Sequence, residues 1–303
     1  MSHGHATIPL REYGFLALLA LLWGSSYLFI KIAVAEIPPV SLIALRVVIA
    51  ASFLVVVLAW RRERLPRDSA TWWMLLVQSF LTGIGAWTIL AWGQQHVESS
   101  LASVLNSTSP IFVFLFTYLF TRHEATSGLK LAGALLGLLG VVLIVGVDAL
   151  AGLGQQVAGQ LAAIAGAILY ACAAIYGRRL AHLSAVVVAT STMIWAVIIL
   201  VPASLILEKP WALSPSATAL SAAFVLAIFC TACALMIYFR LLKTLGSLGV
   251  ASQAYLRAGV GVLLGVVFLG EHITPVMALG LFAAIAGVAA INMPSRKTRV
   301  QQE

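Results

Sequence analysis

Charged residues are scarce in this chain, and acidic residues are the scarcer kind. Only 9% of the 303 residues are charged, with 10 Asp and Glu against 18 Lys and Arg, whereas 62% are hydrophobic. A soluble domain has about 25% charged and about 45–50% apolar residues, because its surface must interact with water. The composition therefore excludes an ordinary soluble protein and predicts a chain that crosses a membrane many times.

The sequence also lacks the residue patterns that carry chemistry in enzymes. Its three cysteines lie within apolar stretches, and although Cys230 and Cys233 have C-x-x-C spacing, no second pair or histidine lies nearby. We interpret them as small packing residues rather than a metal or redox site. We also find no nucleophile–base arrangement, cluster of metal ligands or phosphate-binding loop. We therefore expect neither an enzyme nor a bound cofactor.

What the sequence does contain is a series of long apolar segments. Each is about 20 residues long, the length that an α-helix needs to cross the hydrocarbon core of a bilayer. The sequence predicts an all-α polytopic membrane protein. Its ten transmembrane helices are predicted near residues 13–35, 39–60, 72–93, 99–121, 128–147, 159–178, 184–206, 217–240, 248–269 and 275–293.

Basic residues are distributed unevenly between the predicted loops. If the segment before Tyr13 is cytoplasmic, fourteen basic residues fall on that side and Lys209 alone falls on the other. This is the positive-inside pattern, so we predict that the N and C termini are both cytoplasmic. The same distribution explains the net charge of +8 without nucleic acid as a partner. We expect the partners to be a lipid bilayer and a small-molecule substrate, and nothing in the sequence indicates an oligomeric state.

The two halves of the chain are related by a repeat of 147 residues. This shift aligns, without a gap, Trp23 with Tyr170, Lys31 with Arg178, Asn106 with Gln253, Glu124 with Glu271, Gly133 with Gly280 and Gly140 with Gly287. We predict a first five-helix repeat over 1–147, a linker over 148–158, a second repeat over 159–293 and a cytoplasmic tail over 294–303. Because five is odd, the second repeat is inverted in the membrane. Inverted repeats around a central cavity are typical of secondary transporters, whose substrate site lies near the midplane.

Three basic residues, Lys31, Arg46 and Arg257, lie inside predicted helices. A charge at the bilayer centre costs roughly 2.5–3.5 kcal/mol on insertion scales, so each is a candidate substrate-binding residue. Lys31 and Arg46 have an alternative role, in which the side chain extends to the membrane interface. For Arg257 the alternative is hydrogen bonding to backbone carbonyls, which would lock the ninth helix against the fourth.

Aromatic and amide side chains in the same helices complete the predicted substrate site. They are Trp23, Tyr27, Gln78, Trp87, Asn106, Gln253 and Tyr255. The aromatic rings would supply apolar or cation–π contacts to a substrate, with packing inside the bundle as the alternative. Pro110, four residues after Asn106, has no backbone N–H and predicts a kink in the fourth helix.

Four segments carry a resemblance to a known family: WGSSYLFIKIAV in the first helix, SLASVLNSTSPIF in the fourth, GALLGLLGVVLI in the fifth and FLGEHITPVMALGLFAAIAGV across the last two. They are similar to the EamA-type exporters of the drug/metabolite transporter superfamily, and the resemblance spans essentially the whole chain. It implies ten helices around a central cavity in the cell membrane, here a bacterial inner membrane. It also implies export of amino acids or other small metabolites by alternating access. The chain departs from the family pattern at Arg257, where a proline equivalent to Pro110 would be expected.

The scarcity of acidic residues also bears on the mechanism. None of the ten is predicted at mid-depth, and Glu12 is expected in the segment before the first helix. Proton-coupled antiport usually needs an embedded carboxylate or histidine. The sequence thus favours facilitated diffusion or exchange of a carboxylate-bearing substrate, which Arg257 would bind bidentately. Broad drug efflux is the alternative within transport, and a receptor or assembly subunit that does not transport is the alternative of another class.

Overall fold

The structure is a computed structural model that describes residues 9–97, 99–120, 127–146, 150, 153, 155–260 and 274–293. Its helices are α1 (Leu10–Val34), α2 (Pro39–Trp60), α3 (Ser69–Gly93), α4 (Ser99–Asn106 and Ser109–Phe120), α5 (Gly128–Val145), α6 (Val157–Gly177), α7 (Ala185–Leu207), α8 (Ala217–Ala251), α9 (253–260) and α10 (Pro275–Asn292). Within these ranges nine helices are long and apolar enough to cross a membrane, and the predicted ninth span is described only as far as residue 260. The all-α polytopic fold is confirmed.

The fourth predicted helix is broken next to its proline. One part of α4 ends at Asn106 and the other begins at Ser109. The break follows from Pro110, which cannot donate a backbone hydrogen bond to the preceding turn. At the break, Ser107 Oγ donates to the carbonyl of Ser103 at 2.8 Å and Thr108 Oγ1 donates to that of Leu105 at 2.6 Å, in addition to backbone hydrogen bonds to the same two carbonyls.

The prediction that the eighth helix ends at residue 240 is wrong. α8 continues past residue 240 to a kink at Gly246, where φ is 77°, and the backbone is helical again from there to Ala251. Glycine is the residue that adopts this backbone conformation without steric strain. A single glycine thus replaces the predicted loop between the eighth and ninth helices.

Two helices contain a π-helical segment at equivalent positions of the repeat. In α3 the segment is Phe80–Ile84, and in α8 it is Ile228–Cys233. A π-helix bonds residue i to i+5 instead of i+4, and such segments are often found at functional sites. Shifting the α3 segment by 147 residues places it on 227–231, so both repeats carry the same distortion.

The main helix pairs also obey the repeat. α5 packs against α10, α2 against α7, α3 against α6 and α1 against α8. When each helix is replaced by its equivalent in the other half, the α5–α10 and α2–α7 pairs stay the same, and the α3–α6 pair becomes the α1–α8 pair. Contacts with this property are isologous, the kind that a two-fold axis generates.

α5 and α10 cross at glycines whose backbones touch. A Cβ on Gly140 would lie 2.5 Å from the backbone nitrogen of Ala284 and 2.6 Å from the carbonyl oxygen of Gly280. A Cβ on Gly287 would lie 2.6 Å from the carbonyl oxygen of Gly133. The contacts Gly140–Gly280 and Gly287–Gly133 are equivalent under the repeat. Small residues therefore bring the two halves into direct backbone contact.

Glutamates hold the two ends of the α2–α7 pair. Glu208, after α7, accepts hydrogen bonds from the backbone N–H groups of Val40 and Ser41 at 3.1 and 2.6 Å, at the start of α2. Glu63, after α2, accepts from the hydroxyl of Ser184, the N-cap of α7. A negative charge is favourable at a helix N-terminus, so each helix is capped by a residue that follows its partner.

The prediction that Glu12 precedes the first helix is wrong. α1 begins at Leu10, and Glu12 is buried in its first turn with only 1% of its surface exposed. Its carboxylate accepts hydrogen bonds from Arg240 Nη2 at 2.7 Å and from Thr244 Oγ1 at 3.1 Å, both on α8. This ion pair ties the start of α1 to α8. Glu12 can be buried because Arg240 compensates its charge. The two residues are 228 positions apart in the sequence, so no local sequence pattern reveals their contact.

Candidate functional site

Two neighbouring cavities lie between the two halves of the bundle. The larger, of about 450 Å³, is lined by residues of α1, α2, α3, α4, α6 and α9 and by Gln94, directly after α3. The smaller, of about 330 Å³, is lined by residues of α1, α4, α6, α8 and α9. Trp23, Tyr170 and Arg257 line both cavities. These three residues therefore form the boundary that the cavities share.

The cavities extend toward opposite ends of the bundle. α3 and α6 are antiparallel, since Gly93 at the end of α3 lies against Gly159 near the start of α6. The larger cavity reaches Gln94, beyond the end of α3, whereas the smaller reaches Ala174, near the end of α6. A ligand at the shared boundary would thus be approached from two directions.

Arg257 is the central charge of this boundary. Its side chain is 9% exposed and lines both cavities. Its Nε is buried without an acceptor, and no hydrogen bond or carboxylate reaches its guanidinium from the part of the chain that the structure describes. The alternative role of Arg257, hydrogen bonding to backbone carbonyls, is not observed among the described residues. A buried cation in this situation is available to an anionic ligand.

Arg46 is the second charge, and it lines the larger cavity. Its Nε donates to Thr231 Oγ1 at 2.5 Å and its Nη2 to the carbonyl oxygen of Cys230 at 3.4 Å. The guanidinium carbon also lies 4.0 Å from the centroid of the Trp87 ring, a cation–π contact. With 3% exposure, the side chain does not extend to the membrane interface.

The π-helix of α8 supplies the acceptors in this arrangement. The carbonyl oxygen of Cys230 accepts from Arg46 and also from Trp23 Nε1, the latter at 3.1 Å. Because a π-helix displaces the regular i to i+4 bonding, carbonyls within it become available to side chains. The indole of Trp23 is held further by ring contacts with Tyr170 and Tyr238, whose centroids lie 6.4 and 5.3 Å away.

Half of the candidate residues predicted from sequence meet at one cavity. The candidates among the residues that line the larger cavity are Trp23, Arg46, Trp87, Asn106 and Arg257. Gln253 lines the smaller cavity. Asn106 and Gln253 are equivalent in the repeat, and both are buried.

The structure places three other candidates away from both cavities. The Tyr255 hydroxyl donates to the carbonyl of Ala134 at 2.8 Å, and its ring packs against Gly137 on α5. Lys31 lies exposed on the outside of α1, consistent with its alternative interfacial role. Gln78 is fully buried near Gly177 on α6. Tyr27 lies on α1, but its side chain is outside the described part.

Several cavity residues were not among the sequence candidates. Tyr170 lines both cavities and is the repeat equivalent of Trp23, so the repeat was the signal that would have found it. Tyr238, which lines the smaller cavity, had no such signal, because its position depends on the packing of α8. The same holds for Thr231, which does not line a cavity but binds Arg46 from the π-helix of α8.

The electrostatic character of the site is positive. Among the described residues that line the two cavities, Arg46 and Arg257 carry charge and none is an Asp, Glu or His. Glu98, Glu124 and Glu271 lie outside the described ranges. Within those ranges no group of three His, Cys, Asp or Glu is arranged to hold a metal ion.

Both halves of the chain match the EamA-like transporter family, at residues 10–146 and 157–293. The chain belongs to this family. The uncharacterized inner membrane transporter YedA of Escherichia coli is 27% identical over 281 residues, which cover 93% of this chain and 90% of YedA. An uncharacterized transporter of Archaeoglobus fulgidus is 30% identical over 285 residues, covering 90% of this chain and 94% of that protein. A crystal structure at 20% identity has the same fold, with a TM-score of 0.77 over 95% of this chain and 99% of the other.

Membership of this family has direct consequences. The protein is a multi-pass membrane transporter and not an enzyme, and its relatives include bacterial inner membrane transporters. Two matches to one family also account for the 147-residue repeat. In inverted-repeat transporters the substrate site lies at the interface between the repeats, and the two cavities of this EamA-like transporter lie between its two halves.

Proposed function

We propose that the transporter exports amino acids or related small carboxylate-bearing metabolites by alternating access, and that Arg257 binds the substrate carboxylate. One observation carries the proposal: the buried Arg257 guanidinium lines both cavities and has neither an acceptor nor a carboxylate among the described residues. Burying a charge is costly unless a partner compensates it. A carboxylate compensates a guanidinium through two parallel, charge-assisted hydrogen bonds.

The arrangement of the cavities supports alternating access. They extend toward opposite ends of the bundle and share Trp23, Tyr170 and Arg257. A substrate held by Arg257 can therefore exchange with either side when the corresponding cavity opens. Transport by inverted repeats works in this way, with one bundle rocking against the other around a fixed midplane site.

The charges of the site favour facilitated diffusion or exchange over proton coupling by an embedded carboxylate. The described lining residues include no group that would take up and release a proton near neutral pH. The buried acid Glu12 lies in the first turn of α1, away from both cavities, and is engaged by Arg240. We expect amino-acid flux to depend on the substrate gradient and to change little with an imposed pH gradient.

Reconstitution in liposomes tests the proposal. Amino-acid counterflow is measured for the unmodified protein, Arg257→Ala and Arg257→Lys, with and without a pH gradient. We expect Arg257→Ala to lower kcat/KM by about 10- to 150-fold, because hydrogen bonds to charged groups contribute about 1.5–3 kcal/mol. Arg257→Lys should retain part of the flux, since it keeps the charge but not the bidentate geometry.

The matched control is Arg179→Ala, the same substitution at an exposed arginine that stacks on Tyr176 outside the cavities. It should leave flux unchanged. Undiminished carboxylate flux in Arg257→Ala would contradict the anchoring role. Broad drug efflux makes a different prediction, namely that cells lacking the protein become sensitive to lipophilic cations rather than to toxic amino-acid analogues.

A further inference from the structure

We infer that Arg46 is a second anion-binding residue of the same cavity, and that the preferred substrate has two anionic groups and a net negative charge. The inference rests on the proposed function, because it concerns the substrate that Arg257 binds. Its basis is the joint position of the two guanidinium groups, both of which line the 450 Å³ cavity.

The contacts of Arg46 fix its position without neutralising its charge. Its partners are a hydroxyl on Thr231, the carbonyl of Cys230 and the ring face of Trp87, all of them uncharged. Thr231 donates its own proton to the carbonyl of Leu226 at 2.8 Å, which leaves its oxygen directed at Arg46 as an acceptor. These bonds use Nε and Nη2, and Nη1 has no hydrogen bond among the described residues.

The larger cavity consequently holds two positive charges that no described lining residue balances. Its other polar lining residues include Asn106 and Gln94, which are neutral amides. Charges interact more strongly inside a protein than in water, because the effective dielectric constant is lower. A zwitterion adds its own positive charge to this site and leaves the net charge unchanged. A dianion supplies one anionic group for each guanidinium.

The chemistry therefore favours dicarboxylates over neutral amino acids. Acidic amino acids satisfy both requirements, because they carry two carboxylates and a net negative charge. The side-chain amide of Asn106 provides an oxygen that can accept a hydrogen bond from the ammonium group of such a substrate. Glutamate and glutamine are the matched pair that isolates this effect, since they have nearly the same shape and differ by one charge.

The experiment is counterflow uptake of glutamate, glutamine and succinate into liposomes that contain the full-length protein. We expect kcat/KM for glutamate and succinate to exceed that for glutamine by about tenfold or more, because glutamine leaves one desolvated guanidinium without an anionic partner. In Arg46→Gln the ratio of glutamate to glutamine transport should fall toward unity. In Arg46→Lys the ratio should remain high, because the charge is kept.

The outcomes separate this inference from the proposed function. Equal transport of glutamate and glutamine by the unmodified protein overturns the dianion preference but leaves carboxylate export intact. Absence of flux for every compound in a wider amino-acid and carboxylate panel overturns the proposed function itself. If Arg46→Gln lowers both fluxes by one factor, Arg46 is structural and its assignment is wrong. If Arg46→Gln does not yield a monodisperse protein, Arg46→Lys decides: a ratio that falls to unity despite the retained charge overturns the assignment.

Discussion

Replacing Gly140 with alanine tests whether direct backbone contact holds the two halves together. The added Cβ would lie 2.5 Å from the backbone nitrogen of Ala284 and 2.6 Å from the carbonyl oxygen of Gly280. Backbone atoms within a helix cannot move aside alone, so α5 and α10 must separate by about 1 Å to restore van der Waals contact. Overpacking costs about 1–3 kcal/mol, and Gly→Ala returns up to about 1 kcal/mol of helix propensity. We expect the free energy of unfolding to fall by about 1–2 kcal/mol.

Gly287→Ala should have a similar effect, because its Cβ would lie 2.6 Å from the backbone of Gly133 and of Gly137. The double variant should lose less than the sum of the two, since one separation of the helices accommodates both methyl groups. Gly14→Ala is the control: a Cβ there meets no atom within 4 Å. Denaturant and thermal unfolding of the purified protein, followed by tryptophan fluorescence, measure these differences. Equal stability changes for Gly140→Ala and Gly14→Ala would refute the reasoning.

Two further predictions concern residues outside the cavities. Tyr255→Phe removes the hydrogen bond to Ala134, so the free energy of unfolding should fall by about 0.5–1.5 kcal/mol while KM stays constant. A changed KM at unchanged stability would instead show that Tyr255 contacts the substrate. Hydrogen bonds from the backbone N–H and the hydroxyl of Ser216 lower the pKa of Glu36. Because the folded pKa lies below the unfolded one, this contribution is present above the unfolded pKa of about 4.3 and is lost as the pH falls through the folded pKa. The difference in melting temperature between the unmodified protein and Glu36→Gln should therefore shrink below about pH 4.3, and a growing difference would contradict this assignment.

The sequence predicted the features that repeat or that carry isolated charge. The 147-residue shift revealed the two halves, and Arg257 was conspicuous as a cation in an apolar helix. Gln253 and Arg257 are four residues apart, so they share one helix face and both reach a cavity. Tyr255 is two residues from Arg257, which is about 200° around an α-helix, and this spacing explains why it packs against α5 instead.

Other features depend on contacts that no local pattern contains. The partner of Glu12 is 228 residues away, and the hydroxyl that positions Arg46 lies 185 residues away. The two π-helices contain no proline that would predict a distortion, so the sequence did not indicate that the carbonyl of Cys230 accepts hydrogen bonds from Trp23 and Arg46. The sequence contains many glycines and does not distinguish Gly246 from the others. Only its positive φ shows that this glycine interrupts a helix.

The stacked rings of Trp23 and Tyr170 occupy equivalent places in the two halves, between cavities that extend in opposite directions. If transport exchanges the conformations of the halves, it also exchanges the surroundings of the two rings. Trp23 now donates to Cys230, and the repeat equivalent of Cys230 is Gly83, in the other π-helix. We therefore expect the phenol of Tyr170 to approach Gly83 in the opposite state. The two states would then differ in the ring that donates to the π-helix, an indole in one and a phenol in the other.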